Sequence, residues 1–182
     1  MSIKTTATLL KSSWLNLLLN GNPLGGVVKA TPSFFSLKVM KKQFYEKILS
    51  GQGVYCAASI KDGKVSHHFA ESIDDLIETI DRLVEGKNNV FVAPNTFNGH
   101  SRKGDNAAYA KSFFIDLDVG NDPQKYSSKK EALEDLIGFV DHYELPTPVV
   151  IDSGNGVHAY WPLKEALPSA EWKLYAEKFK AF

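Results

Sequence analysis

The sequence contains a single cysteine, Cys56. One cysteine excludes an internal disulfide and any zinc site built from cysteine ligands, so we expect a reduced, intracellular setting. Long apolar runs are also missing. The longest near the start, residues 14–19, is interrupted by Asn16 and is far too short to cross a bilayer. No signal-peptide cleavage pattern follows it. We predict an amphipathic helix for this run and no membrane association.

Net charge is missing too, because 21 basic residues balance 21 acidic residues. The composition therefore gives no global argument for nucleic-acid binding. The charges are nevertheless separated along the chain: residues 1–50 carry seven lysines and one glutamate, whereas residues 71–85 carry six acids and one arginine. A basic first segment could follow the phosphates of a nucleic acid. Such a run is more often a solvated face, and both interpretations stay open.

The length of 182 residues and the hydrophobic share of 43% suit one domain with a small appendage. A cluster of glycine and proline at residues 21–26 breaks the chain. We therefore predict a leading helix and linker over residues 1–30 and a main domain over residues 31–182. In the main domain, hydrophobic periodicity predicts helices over residues 37–49, 72–85, 128–140 and 169–182, and strands over residues 53–60, 65–70, 89–93, 111–120, 149–151 and 157–161.

A polar segment over residues 94–110 is predicted to be a loop, and it carries His100, Arg102 and Lys103. If this loop lies next to the strand that follows it, its basic side chains could bring positive charge to a phosphate. It could equally be an ordinary surface loop.

The strand predicted over residues 111–120 carries two carboxylates within an apolar run. Because side chains alternate along a strand, Asp116 and Asp118 share one face, while the other face is apolar: Phe113, Ile115, Leu117 and Val119. Two like charges on one face are costly unless something positive lies between them. A divalent metal would serve, since hard cations prefer carboxylate oxygens. The alternative is a strand whose second face is simply exposed to water.

A second group of polar residues follows one helix later. The order strand, helix, strand over residues 111–151 predicts a right-handed crossover between neighbouring parallel strands. A Ser-Gly-Asn-Gly turn at residues 153–156 then leads into a further strand, and its glycines let backbone amides approach an anion. On that strand His158 and Tyr160 share a face. Taken singly, a glycine turn and a strand histidine are more often structural.

Several familiar sites are excluded. Ser153 does not lie in a Gly-x-Ser-x-Gly elbow, and the nearby Gly-x-Gly opens a strand rather than a helix. No Gly-Lys-Ser/Thr phosphate loop is present in the sequence. Taken together, the paired carboxylates and the glycine turn predict a site for a metal-bound triphosphate. The aspartates would hold divalent ions, and the turn, with Ser153 and His158, would hold phosphate oxygens.

These motifs resemble the archaeo-eukaryotic primase superfamily, and more closely the primase-polymerase domains of phage and plasmid replication proteins, which are often fused to a helicase. The likeness is specific over residues 111–163. A hydrophobic-Asp-hydrophobic-Asp strand matches Asp116 and Asp118, and a Ser-x-x-x-x-His hairpin matches Ser153 and His158. The resemblance implies an α+β fold, with a primase-polymerase catalytic core built on an RNA-recognition-motif-like sheet beside a smaller N-terminal α/β unit.

The resemblance also implies a chemistry. It implies DNA primase or polymerase activity, that is, template-directed nucleotidyl transfer from nucleoside triphosphates on single-stranded DNA, with Mg²⁺ or Mn²⁺, in the cytoplasm of a host cell. Asp116, Asp118 and His158 would be catalytic, the two aspartates as metal ligands. The nucleotide-binding candidates are the hairpin residues and nearby basic side chains: Ser153, Gly154, Asn155, Gly156, His158, Lys125, Arg102 and Lys111.

The family carries a third catalytic aspartate on a later strand, and this sequence lacks it. That departure fits either a truncated chain or a short natural protein that has lost part of the site, and we do not expect polymerisation by this chain alone. It also motivates a second hypothesis: a non-catalytic nucleic-acid- or partner-binding module of a replication protein, built on the same fold. In that case exposed aromatics such as Tyr160 would stack bases, and residues 1–50 would supply positive charge.

Overall fold

The computed structural model describes residues 10–11 and 34–180. The helix and linker expected within residues 1–30 therefore lie outside the described residues, apart from two residues of a strand. The helices are α1 (Phe34–Ile48), α2 (Ile73–Glu85), α3 (Lys129–His142) and α4 (Ser169–Phe179), with a short 3₁₀ turn at Gly104–Asn106. The strands are β1 (Leu10–Lys11), β2 (Tyr55–Lys61), β3 (Lys64–Ala70), β4 (Asn89–Val92), β5 (Asn95–Phe97), β6 (Ala107–Asp118), β7 (Val149–Asp152) and β8 (Gly156–Pro168).

The strands form two four-stranded antiparallel sheets. The first has the order β1-β4-β2-β3 and the second the order β5-β6-β8-β7. An isolated bridge between Val54 and Phe97 connects the segment before β2 to β5, so the backbones of the two sheets are hydrogen-bonded there. Helices and antiparallel sheets together confirm the α+β class. Within the described part of the chain, no helix is long and apolar enough to cross a membrane.

Local signals account for most element boundaries. The Ser72 hydroxyl accepts a hydrogen bond from the backbone N–H of Asp75 at 3.1 Å, which fixes the start of α2. Ser128 caps α3 in the same way through the N–H of Glu131 at 3.2 Å. The β2–β3 turn is closed by Asp62 and Gly63, whose φ angles of 49° and 75° are both positive, as a two-residue hairpin of type I′ requires.

Two predicted features need correction. The segment over residues 94–110 is not one loop, because it contains β5, the 3₁₀ turn and the first residues of β6. The strands on either side of α3 are parallel but are not neighbours, since β8 pairs antiparallel with both β6 and β7 and lies between them. The unit is therefore a split strand–helix–strand arrangement. The inserted strand is the one that carries His158, so this order places His158 next to the aspartate strand.

The two faces of the second sheet contact different cores. On one face, Phe114, Ile151 and Tyr160 pack with α1, α2 and the inner face of the first sheet. On the other face, apolar side chains of β6 and β8 pack against α3 and the end of α4: Ile115, Leu117, Val157, Ala159 and Trp161. The apolar row predicted for the aspartate strand is thus confirmed, since Ile115 and Leu117 are 3% and 2% exposed.

The basic and acidic segments of the sequence meet in the fold, where α1 contacts α2. Three lysines of α1 form ion pairs with acids of α2: Lys38 with Glu78, Lys41 with Asp81 and Lys42 with Asp74. Lys41 approaches its partner to 2.5 Å with both side chains about one-third exposed. These pairs connect the two helices at their surface, and all but Lys41–Asp81 are largely exposed, so each contributes little to stability.

Gly156 permits the closest backbone approach between β6 and β8. A Cβ atom at this position would lie 2.4 Å from the carbonyl oxygen of Leu117, a distance that no side chain tolerates. We expect Gly156→Ala to lower the free energy of unfolding by about 1–3 kcal/mol, because β8 must move away from β6. Urea denaturation followed by circular dichroism measures this change.

Gly138 provides the control for that substitution, because it lies in the exposed interior of α3 and an added Cβ would meet nothing within 4 Å. Gly138→Ala should raise stability by about 0.5–1 kcal/mol, since alanine loses less backbone entropy in a helix. Equal effects of the two substitutions would contradict the close approach at Gly156.

Candidate metal and nucleotide site

Asp116 lies directly opposite His158 in the β6–β8 ladder. The Nε2 atom of His158 is 3.2 Å from Oδ1 of Asp116, and the two side chains are only 5% and 7% exposed. This distance is within ion-pair range, although no donor makes a hydrogen bond of good geometry to the buried Oδ1 of Asp116. A buried carboxylate oxygen without a hydrogen bond is costly. It therefore has unused capacity for a cation.

Tyr160 contacts Nδ1, the other ring nitrogen of His158. Its hydroxyl lies 3.4 Å from Nδ1 of His158, and the tyrosine is 1% exposed. Burial raises the pKa of Tyr160 well above its ordinary value, with smaller contributions from the charges of Tyr45 and Asp116. The hydroxyl therefore keeps its proton and can donate it to Nδ1. Because Tyr160 is buried, the idea that it stacks bases is wrong.

Asp118 is placed differently from Asp116, although both point to the same face of β6. Its side chain is 53% exposed, and Oδ2 lies 3.4 Å from Nζ of Lys125. The pair brings Lys125, a nucleotide-binding candidate from the sequence, to the end of the aspartate strand. The site thus contains one buried carboxylate and one exposed carboxylate that already has a cationic partner.

The Ser-Gly-Asn-Gly hairpin is joined to the same end of β6. The backbone N–H of Val119 donates to the carbonyl of Asn155 at 2.9 Å, and the N–H of Ser153 donates to the carbonyl of Gly156 at 3.1 Å. Gly154 adopts a φ of 91°, which favours glycine. Ser153 is 5% exposed. The structure therefore brings together five of the sequence-predicted features: Asp116, Asp118, Lys125, the hairpin and His158.

Asp152 is a member of this region that the sequence reasoning missed. Its carboxylate accepts two hydrogen bonds from Nζ of Lys129, at 2.7 and 2.8 Å, and one from the N–H of Gly154 at 2.7 Å. The carboxylate thereby ties the hairpin to the start of α3. The signal was present, because an aspartate two residues before a glycine is typical of a turn closed by the side chain.

Lys111 and Arg102 are placed elsewhere. Nζ of Lys111 donates to the carbonyl of Glu46 near the end of α1 at 2.9 Å, so it stabilises a helix terminus.

Arg102 lies near Cys56 of β2. Burial raises the pKa of the Cys56 thiol to about 11, and the charge of Arg102 opposes that shift. Nε of Arg102 is buried without a hydrogen bond. His100, from the same segment, pairs with Glu71 at 2.9 Å.

The donor set fits a metal that arrives with a phosphate ligand. Among the residues that the structure describes, no three His, Cys, Asp or Glu side chains converge into a complete metal cage. Mg²⁺ is commonly held by one or two carboxylates, with phosphate and water oxygens in the other positions. The buried Oδ1 of Asp116, which lies 3.2 Å from Nε2 of His158, and the exposed carboxylate of Asp118 match that pattern.

The Lys129–Asp152 pair should stabilise the fold only when Asp152 is ionised. Burial alone would raise the pKa of Asp152, but the hydrogen bonds from Lys129 and Gly154 outweigh it and hold the pKa below the ordinary value of 3.8. We expect Lys129→Met to cost about 1 kcal/mol of unfolding free energy near neutral pH. A group with a lowered folded-state pKa loses its contribution as the pH falls through that value, so the difference should shrink below about pH 4.

Urea denaturation of both proteins at the two pH values measures this effect. Lys130→Met is the matched control, because Lys130 is 84% exposed and lies 3.6 Å from Glu134 on the same helix. It should change stability little at either pH. A Lys129→Met effect that is unchanged in acid would contradict the role assigned to Asp152.

Comparison with known proteins adds one relative. No family model matches the chain, and no solved structure matches it. A curated protein of Clostridium perfringens, described as "Replication protein", is 28% identical over 146 residues, which cover 78% of this chain. The chain spans about a third of that relative's length, since the match covers 34% of it. The similarity extends over most of the chain, including at least part of the second sheet.

Proposed function

We propose that this chain is the metal- and nucleotide-binding part of a primase-polymerase that acts in phage or plasmid replication. One observation carries the proposal: β6 and β8 pair so that Asp116 faces His158, at the sheet end where Asp118 and the Ser153 hairpin also lie. A triphosphate bound by the hairpin would have two carboxylates beside it, which is the arrangement that metal-dependent phosphoryl transfer needs.

Each residue has a role in this proposal. Asp116 and Asp118 would hold Mg²⁺ or Mn²⁺, which when bound neutralises triphosphate charge and stabilises the charge that develops during transfer. The hairpin, with the Ser153 hydroxyl, would bind phosphate oxygens. The N–H groups of Ser153 and Gly154 now donate to the carbonyl of Gly156 and the carboxylate of Asp152, so they would have to exchange partners to contribute. His158 would donate from Nε2 to a phosphate oxygen, and Tyr160 would hold the ring in the tautomer that leaves the Nε2 proton available. Lys125 would add a positive charge.

The replication role is supported by the relative from Clostridium perfringens, whose description is "Replication protein". We propose the same process for this chain, with single-stranded DNA as template, nucleoside triphosphates as substrates and a helicase, fused or separate, as partner. The non-catalytic alternative loses the base-stacking role of Tyr160, and three of the seven lysines in residues 1–50 already have acidic partners. Tyr160 is 1% exposed, and three lysines of α1 are paired with α2.

Titration of Mn²⁺ and a nucleoside triphosphate by calorimetry tests the proposal. Asp118→Asn should weaken metal-dependent triphosphate binding at least tenfold, about 1.4 kcal/mol, since Asp118 supplies charge without supporting the core. Asp116→Asn should weaken it as much or more, with circular dichroism confirming the fold. Asp141→Asn, an exposed carboxylate of α3, is the control and should leave binding unchanged.

Two results would contradict the proposal. Triphosphate binding that both substitutions leave intact would remove the metal-site claim. Strong, salt-dependent single-strand binding that ignores divalent metal and tolerates both changes would favour the non-catalytic binding module instead.

A further inference from the structure

The loop that follows β6 places Lys125 next to Asp118, the exposed carboxylate of the site. Asp118 is the last residue of β6, and the chain turns back so that Lys125 lies 3.4 Å from its Oδ2 atom. The Cδ atom of Lys125 passes close to Gly120, where an added Cβ would be only 3.2 Å away. The aliphatic part of the lysine therefore follows the loop backbone toward Asp118.

The loop itself is firmly anchored. The N–H of Gly120 donates to the carbonyl of Tyr126 at 3.0 Å, and the N–H of Tyr126 donates to the carbonyl of Asp118 at 2.9 Å. The Tyr126 hydroxyl donates to Asp135 of α3 at 2.5 Å. Burial and that hydrogen bond raise the pKa of Tyr126, so the hydroxyl stays protonated as a donor. The backbone of Lys125 is thus held in place while its side chain can move.

The ion pair between Lys125 and Asp118 is exchangeable. The lysine is 40% exposed and the aspartate 53% exposed, and ion pairs at such positions are weak because water screens them. A divalent cation at Asp118 would compete for the same carboxylate and repel the ammonium group. The displaced side chain would remain next to the hairpin, since Val119, the neighbour of Asp118, bonds to Asn155 of that hairpin.

We propose that Lys125 occupies Asp118 until a metal-bound nucleoside triphosphate arrives, and then transfers from the carboxylate to the phosphates. This inference rests on the proposed function and sharpens it. A free metal ion must compete with Lys125 and gains nothing in return. A metal that carries a triphosphate offers the displaced ammonium group a new partner. Lys125 therefore makes the site select the metal–triphosphate complex over the free ion.

The substitution Lys125→Met should change two affinities in opposite directions. Affinity for Mn²⁺ alone should rise about two- to fivefold, since a weak competing cation has been removed from Asp118. Affinity for the Mn²⁺–triphosphate complex should fall about tenfold, because a phosphate contact is lost. Calorimetry measures the complex, and electron paramagnetic resonance of free Mn²⁺ measures the ion alone. Lys130→Met is again the matched control and should change neither affinity.

The outcomes separate the two proposals. If the wild type binds Mn²⁺ and Lys125→Met binds it equally or more weakly, the exchange is overturned while the metal site stands. If both affinities fall, Lys125 has a general electrostatic role and the exchange is also overturned. If neither protein binds Mn²⁺ with or without triphosphate, the proposed function fails and the exchange fails with it. Opposite shifts support the exchange.

Discussion

The pairing of β6 with β8 is the constraint on which the rest of the structure depends. It places Asp116 opposite His158, and it presents a different face of the sheet to each of the two cores. Gly156 makes the pairing possible at the end where the site lies, because any side chain there would collide with the backbone of Leu117. The register of β6 against β8 therefore determines both the core packing and the site. A slip of one residue would move the core side chains and the site side chains of the slipped strand to opposite faces.

Three carboxylates near that pairing have three different environments. Asp116 is buried beside His158 with an oxygen that accepts no hydrogen bond. Asp118 is exposed and lies beside Lys125, whereas Asp152 is held by Lys129 and orders the hairpin. Environment thus separates a buried carboxylate, an exposed carboxylate and a structural carboxylate on β6 and β7, the two strands that flank β8. In this account the Asp152 pair positions the phosphate-binding turn, and the Asp118 pair is exchanged when the substrate arrives.

The sequence predicted features that local chemistry determines. The helix starts near Ser72 and Ser128, the break between the strands now called β2 and β3, and the alternating faces of the aspartate strand all follow from neighbouring residues. Features that depend on distant residues were missed. The insertion of β8 between β6 and β7 and the lysine–acid pairs between α1 and α2 join positions far apart in the chain, which periodicity does not reveal. For the same reason the partners of Lys111 and Arg102 were not foreseen.

In the proposed site, Asp116 and Asp118 hold a metal ion beside the glycine hairpin. Paramagnetic broadening of backbone amide signals by Mn²⁺ in the presence of a nucleoside triphosphate tests it most directly, because the effect depends steeply on distance from the ion. A metal ion bound there should broaden signals selectively at the end of β6, in the Lys125 loop and in the hairpin before β8. Broadening centred elsewhere, or none at saturating Mn²⁺ and triphosphate, would contradict it.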